Sequence, residues 1–284
     1  DIRPANLAAA GTLFGGLGGI DVPIRGTASL TLDTQSNLTS AALFLIAGEG
    51  RINRPDIVPG PVAFDSAEAA LMFDASRDQL MLSGLTMRAG ENSASVSGTL
   101  TINRNPDGSY DAFGFDVVAE PATLHVEGMY DTPLAIDRAA LRGTWTPATR
   151  NILLDMATLR AGALEMSLSG AIGITDAGPD LQLTGSLSRL PITDMVAAWP
   201  VGVGEGARSW LAENVFAGTI SGGTLKVALT PDMFAMERLP DEAFSFDFGF
   251  EGLEANFISG LTHITSAAGT SRVVGDYFSL DIAA

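Results

Sequence analysis

Apolar and polar residues alternate with period two along most of the chain. Over Ser93–Ile102, Ala94, Val96, Gly98, Leu100 and Ile102 share one face, and Ser93, Ser95, Ser97, Thr99 and Thr101 share the other. Leu164–Ile174 sets Leu164, Met166, Leu168, Gly170, Ile172 and Ile174 opposite Glu165, Ser167 and Ser169. Leu181–Ser188 does the same with Leu181, Leu183 and Leu187, and Phe244–Glu251 with Phe244, Phe246, Phe248 and Phe250. Successive side chains of a strand point to opposite faces, so each run predicts a strand with one apolar and one hydroxyl-rich face. Between the runs, Asp74–Asp78 (DASRD), Asn105–Gly108 (NPDG) and Asp176–Asp180 (DAGPD) are turn signals. No helical pattern interrupts residues 25–188, which predicts an antiparallel, hairpin-linked sheet rather than βαβ units. Several runs reach about 9–11 residues, longer than the usual strand of about 5–6. Ser-Gly pairs recur inside them, at Ser83-Gly84, Ser97-Gly98 and Ser169-Gly170, and predict bulges or bends in a strongly curved sheet. They read as a degenerate repeat without a fixed period.

Two segments change period. Ile192, Met195, Val196 and Trp199 recur at helical spacing before Pro200, and Ala207, Trp210, Leu211 and Val215 do so over Ala207–Phe216, with Gly218 as the expected stop. A weaker helical pattern covers Asn6 to about Leu17. By pattern, residues 1–190 form a β segment with an N-terminal helix, 191–217 a helical pair, and 218–284 a returning β segment. No signal peptide is visible, and the apolar run Leu7–Ile20 is too short and glycine-rich to span a membrane. The last strand pattern, from Tyr277, runs to the end of the sequence, so the chain reads as a piece of a longer protein.

Composition narrows the chemistry. The 284 residues carry 16 Lys+Arg against 33 Asp+Glu, a net charge of −17, and no Cys. Disulfide scaffolds, thiol catalysis and cysteine-based zinc sites are excluded together. An acidic chain whose single lysine is Lys226 does not fit nucleic-acid binding. At 46% hydrophobic residues it is too apolar to be disordered. There are 32 Gly and only 17% charged residues, so hydroxyls rather than ions supply much of the wet surface. No HExxH, GxSxG or P-loop motif occurs. Gly202–Ala207 matches a loose dinucleotide fingerprint, but it follows a helix pattern and has no acid about 20 residues on, so it reads as a helix connection. Asn103, Asn105, Asp107, Gly108 and Asp111 resemble the opening of a calcium loop, but the twelfth position is Gly114 and the segment reads as a hairpin turn. His125 and His263 are isolated. No catalytic residue, metal site, cofactor or enzymatic activity is expected.

The apolar faces need cover, since exposing one Phe costs about 1.5–3 kcal/mol. A second sheet supplies it in a closed sandwich or barrel. A ligand supplies it in an open trough. Alternation satisfies both.

Leu190-Pro191 with Ile192–Pro200, then Ala207-Arg208-Ser209-Trp210-Leu211, then Glu213–Ile220 resemble the AsmA-like superfamily, in particular its YhdP branch, which carries a comparable "L-P … WP … AR-W-L … N-GG-I" stretch. The segment Asn6–Leu32 is similar to the opening of a groove module there, and Gly275–Leu280 to its terminal strand. The resemblance implies a periplasmic segment of a protein anchored in the inner membrane of a Gram-negative bacterium. It also implies a curved β-trough with an apolar interior that helps move phospholipid to the outer membrane. It favours the trough over the sandwich.

The expected fold is thus mainly β: a long antiparallel curved sheet forming an open hydrophobic groove, with a few short helices crossing or capping it. Acyl chains of phospholipid would slide passively along lining residues Val96, Leu100, Leu168, Ile172, Leu183, Phe244, Phe246, Phe248 and Phe250. Trp199, Trp210 and Phe216 would anchor the helix pair. Inner- and outer-membrane proteins at the ends of the full-length chain, and no nucleic acid, are the expected partners. The rivals are a closed β-sandwich scaffold of the cell envelope without lipid cargo and a carbohydrate-active enzyme on a β scaffold.

Overall fold

A computed structural model provides the structure and describes residues 19–53, 61–126, 128, 130, 132–201, 205–236, 239–256, 263–275 and 277–283. The helix expected over Asn6–Leu17 lies outside them. Among the described residues the fold is mainly β, a large antiparallel sheet of sixteen strands that is not closed into a barrel, with two short α-helices. No helix among the described residues is long and apolar enough to cross a membrane. The chain divides into two compact units, Asp1–Leu124 and His125–Ala284.

The first unit contains β1 (Ile20–Asp21), β2 (Ile24–Leu32), β3 (Leu38–Ala47), β4 (Gly50–Ile52), β5 (Val62–Phe64), β6 (Ser66–Asp74), β7 (Gln79–Ala89), β8 (Asn92–Arg104) and β9 (Tyr110–Leu124). Its large run has the order β2-β3-β6-β7-β8-β9, and β1-β4-β5 form a separate small sheet. The turns close as their sequences predict. Asp107 accepts hydrogen bonds from the Ser109 N–H (2.9 Å) and hydroxyl (2.6 Å), and Asp74 accepts the equivalent pair from Ser76 (2.9 and 2.6 Å). Such Asx turns satisfy backbone donors where a strand pair ends.

The second unit contains β10 (Leu134–Ile136), β11 (Arg138–Thr146), β12 (Asn151–Ala161), β13 (Leu164–Thr175), β14 (Gly178–Leu187), β15 (Leu190–Pro191), α1 (Ile192–Ala198), α2 (Glu205–Asn214), β16 (Val215–Leu229), β17 (Phe244–Ala255), β18 (Ile264–Val274) and β19 (Tyr277–Ile282). Its large run has the order β11-β12-β13-β14-β16-β17-β18-β19. The strands exceed the expected lengths, with β9 and β16 at 15 residues each. α1 matches its sequence pattern. α2 ends at Asn214 and the chain enters β16 directly, so Gly218 is a strand residue rather than a helix stop.

Two of the three Ser-Gly pairs, Ser97-Gly98 and Ser169-Gly170, belong to a duplication with a fixed offset, whereas Ser83-Gly84 falls on Asp155-Met156 and is not repeated. Asp65 and Asp137 stand 137 − 65 = 72 residues apart, and the same offset carries β6-β7-β8 onto β11-β12-β13 without a gap. Asp65, Ala67, Leu82, Thr86, Arg88, Ala89, Gly90, Ser95, Ser97, Gly98 and Ile102 recur unchanged at the shifted positions. The register agrees. Shifts fall at Ala70/Leu71 and Arg142/Gly143, and at Leu82/Leu85 and Leu154/Ala157. In both copies the Asp carboxylate caps the β-turn glycine: Gly90 N–H donates to Asp65 at 2.8 Å and Gly162 N–H to Asp137 at 2.9 Å. Side-chain divergence hid the period, while bulge and turn positions kept it.

Among the described residues a closed core exists in one place. Leu190, Ile192, Met195, Trp199, Ala207, Leu211 and Val215 pack with Ile220, Phe246, Phe248, Phe250, Leu253 and Val273 in the second unit. In the first unit the buried hydrophobic residues are Val22, Phe64 and Ala112 among those described.

Candidate functional site

The candidate site is an apolar sheet face assembled by register. In the first unit, direct cross-strand pairing sets Leu30, Ala41, Phe73, Leu80, Leu100 and Phe115 in one row across β2, β3, β6, β7, β8 and β9. The next row on the same face is Ala28, Leu43, Leu71, Leu82, Gly98 and Val117, followed by Gly26, Leu45, Ala69, Leu85, Val96 and Ala119. No charged or hydroxylated residue enters these three rows. The opposite face carries rows such as Thr31, Ser40, Asp74, Gln79, Thr101 and Gly114. Phe73, Leu80, Leu85, Val96, Leu100 and Phe115 are half-buried, and Leu30 is 67% exposed. At about 25 cal/mol per Å² of apolar area, covering each half-exposed Leu or Phe further would gain on the order of 1 kcal/mol.

The second unit repeats the construction. Gly143, Leu154, Gly170, Leu183, Val227 and Phe244 form one row, and Trp145, Ile152, Ile172, Leu181 and Leu229 another. A third begins Leu141, Ala157, Leu168, Gly185, Leu225 and Phe246. Glycine has a packing role on this face, because neighbouring backbone or large side chains leave no room for a Cβ: at Gly26 and Gly269 the first obstacle is a carbonyl oxygen, of Phe44 and of Asp281, with a side chain next, and at Gly223 it is the Phe246 ring. A Cβ built at Gly26 would stand 2.9 Å from Leu45 Cδ2, one at Gly223 would stand 2.6 Å from Phe246 Cε2, and one at Gly269 would stand 2.9 Å from Phe250 Cζ. Cross-strand cover of a glycine by a bulky neighbour pins register.

The structure separates the expected lining residues into two groups. Val96, Leu100, Leu168, Ile172, Leu183 and Phe244 are half-buried on the apolar face. Phe246 (6% exposed), Phe248 (5%) and Phe250 (2%) are instead core residues beneath α1 and α2, and an open lining position is ruled out for them. The helix pair covers them because the pair presents its own apolar side chains to that part of the sheet. Trp199 anchors it as expected, edge-on to Phe246 with ring centroids 6.2 Å apart. Trp210 meets Phe278 at 5.2 Å. Phe216 is not an anchor. It is the second residue of β16, 52% exposed, and its ring stacks on His263 at 5.5 Å. The buried residue at that point is its neighbour Val215.

Sequence reading missed Leu85, Met87, Ala157 and Leu159. Their strands change parity at the bulges after Leu82 and Leu154, so a constant alternation assigns them to the wrong face. The Ser83-Gly84 pair was the available signal for the first of these.

Titratable groups stay out of the three apolar rows of the first unit. Asp33, Asp74, Asp78 and Asp107 have carboxyl pKa values held below the ordinary range, chiefly by hydrogen bonds from Asn37, Ser76, Arg104 and Ser109 respectively. All four sit in turns or at a strand end beside one. No group of three or more His, Asp or Glu able to hold a metal ion occurs among the described residues. Comparison with family models, with curated proteins and with solved structures finds no match in any of the three.

Proposed function

We propose that the chain is a bridge-like lipid-transfer segment, in which phospholipid acyl chains lie on the apolar sheet face and slide along it without a covalent step. The observation that supports this is the set of unbroken apolar rows in the first unit, half-exposed and with almost no buried core behind them among the described residues. An apolar surface of that kind is stabilised by an apolar occupant. The uniform aliphatic and aromatic character suits chains of variable length, and no polar group along a row would arrest them. The resemblance of Leu190–Ile220 to the YhdP branch of the AsmA-like superfamily supports the same reading. It also points to the periplasm, within an inner-membrane-anchored protein that works between the two membranes of a Gram-negative envelope. The closed scaffold reading needs a second layer over these rows.

The test is native mass spectrometry of the chain purified without detergent, alongside Leu100→Asp. Phospholipid is expected to co-purify with the wild type and to fall at least several-fold in the variant, while far-ultraviolet circular dichroism stays the same. A carboxylate at position 100 interrupts a row and cannot be desolvated without penalty. Lipid-free wild-type protein, or equal loading of the two, sinks the proposal.

A further inference from the structure

Two shallow hollows on the hydroxylated face are the same place in the two repeats. One is lined by Thr86, Arg88, Glu91, Asn92, Ser93 and Ser95, and the other by Thr158, Arg160, Glu165, Ser167 and Ser186, with Arg138 beside them, so each holds one carboxylate, and in the second the Ser167 and Ser186 hydroxyls share a hydrogen bond of 2.8 Å. Adding the repeat offset carries Thr86, Arg88 and Ser95 onto Thr158, Arg160 and Ser167, all unchanged. Register holds them together: Thr86 faces Ser95 and Arg88 faces Ser93, while Thr158 faces Ser167 and Arg160 faces Glu165. Their neighbours on this face have diverged, with Glu68 replaced by Ala140, Ser93 by Glu165 and Thr99 by Ala171.

Most other recurrent residues have a reason in the fold. Asp65 and Asp137 cap a glycine N–H. Ala67, Leu82, Ala89, Gly98 and Ile102 lie on the apolar face with their counterparts. The arginines have none. Arg88 and Arg160 are exposed, and no hydrogen bond or ion pair engages either guanidinium among the described residues. Both hollows adjoin a hairpin, Ala89–Asn92 or Ala161–Leu164, where the strands end and the apolar rows behind them end as well. A phospholipid whose chains lie on those rows must bring its phosphate to such a margin, because an ionised phosphate cannot follow the chains onto an apolar surface.

We propose that Arg88 with Thr86 and Ser95, and Arg160 with Thr158 and Ser167, are headgroup subsites that take the phosphate of the carried lipid. This rests on the lipid-transfer reading above. A guanidinium fork donates to the two non-bridging oxygens of the phosphodiester at once, and the Thr and Ser hydroxyls can donate to the remaining lone pairs of the same oxygens. In a chain of net charge −17, these arginines are points along the margin where an anionic headgroup meets attraction.

The full chain is incubated with phosphatidylcholine vesicles doped with fluorescent phosphatidylglycerol, or with fluorescent diacylglycerol bearing the same chains. Bound probe is counted after gel filtration for the wild type, for Arg88→Gln with Arg160→Gln, and for the matching pair of lysine variants. The glutamine pair is expected to load phosphatidylglycerol about fivefold less, with diacylglycerol unchanged, and the lysine pair to recover part of the loss. Equal phosphatidylglycerol loading by wild type and glutamine pair overturns the headgroup subsites and leaves the apolar-face reading standing. Loss of both probes in the glutamine pair also overturns them, as a structural role would do that. A guanidinium NMR shift with inorganic phosphate, without any change in phosphatidylglycerol loading, assigns the hollows to free phosphate and overturns the headgroup assignment. Wild-type protein that loads neither probe fails the lipid-transfer reading itself.

Discussion

Gly170 shows how closely neighbouring strands approach on the apolar face. Its φ is +143°, outside what L side chains adopt readily, and a Cβ there would fall against the Gln182 carbonyl oxygen. Its repeat counterpart Gly98 would place a Cβ against the Asp116 carbonyl oxygen. Backbone atoms cannot step aside as a side-chain tip can, so Gly170→Ala is expected to destabilise by about 1–3 kcal/mol. Gly173→Ala is the control, since a Cβ there meets Asp180 Cβ at an ordinary 3.5 Å and reduces unfolded-chain entropy. Urea midpoints should separate the two; equal midpoints contradict the close-approach account. At the turns the residue-scale force is charge. The Arg104 Nε donates to both Asp78 carboxylate oxygens at 3.0 and 3.1 Å, and its Nη2 to Oδ1 at 2.8 Å. The folded pKa of Asp78 is therefore depressed. The pair's contribution is present above the unfolded value of about 4 and is lost as pH falls through the lower folded value. It is small, because both groups face water. Carbon-13 titration of Asp78 should give a midpoint below the ordinary value, and Arg104→Gln should raise it.

The helix pair is the element that decides whether a stretch of apolar face is core or open surface. Met195, Trp199 and Leu211 fill the space over Phe246, Phe248 and Phe250, and the helices hold together through that contact more than through their own ends. α1 has only seven residues and no side-chain cap at Pro191, so it is not stable alone. Trp199→Ala is expected to cost about 3–5 kcal/mol and to expose Phe246, read as a lower melting temperature with increased binding of an apolar dye. An unchanged melting temperature would show that the pair does not depend on this ring. The helices were legible because Ile192, Met195, Val196 and Trp199 fall at helical spacing. The end of α2 was not legible, because Asn214 ends it with a side-chain hydrogen bond to the Trp210 carbonyl at 2.9 Å and hands the chain straight to β16. The strand faces were legible wherever parity is constant, as in β8 and β13. They were illegible across Ser83-Gly84, where the bulge moves Leu85 and Met87 onto the face of Leu80 and Leu82. Which Phe are core and which are lining is likewise outside the reach of alternation, since it depends on where a distant helix pair lands.

At the scale of the whole chain, the two units differ in what holds them. The second unit buries a contiguous cluster under its helices. Among its described residues the first has Val22, Phe64 and Ala112 as buried hydrophobics, and its long strands rest on ladder hydrogen bonds and a half-exposed apolar face. Ordering each residue costs about 1–2 kcal/mol of backbone entropy, and a sheet that buries little recovers less of that from the hydrophobic term. A bound acyl chain would supply the missing burial to the first unit far more than to the helix-covered part of the second. Ligand at a hundred times its dissociation constant stabilises the state that binds it by about 2.7 kcal/mol, which slows opening about 100-fold. Amide exchange of β3, β6, β7 and β8 is therefore expected to slow by up to that factor when the lipid-free chain is loaded with phospholipid, while β16, β17 and β18 beneath the helices change little. The measurement is hydrogen–deuterium exchange with mass spectrometry on lipid-free and loaded protein. Equal protection of the first unit in both states would mean that its apolar rows carry no lipid. Uniform slowing across both units would mean that lipid acts on the fold as a whole rather than through the uncovered face.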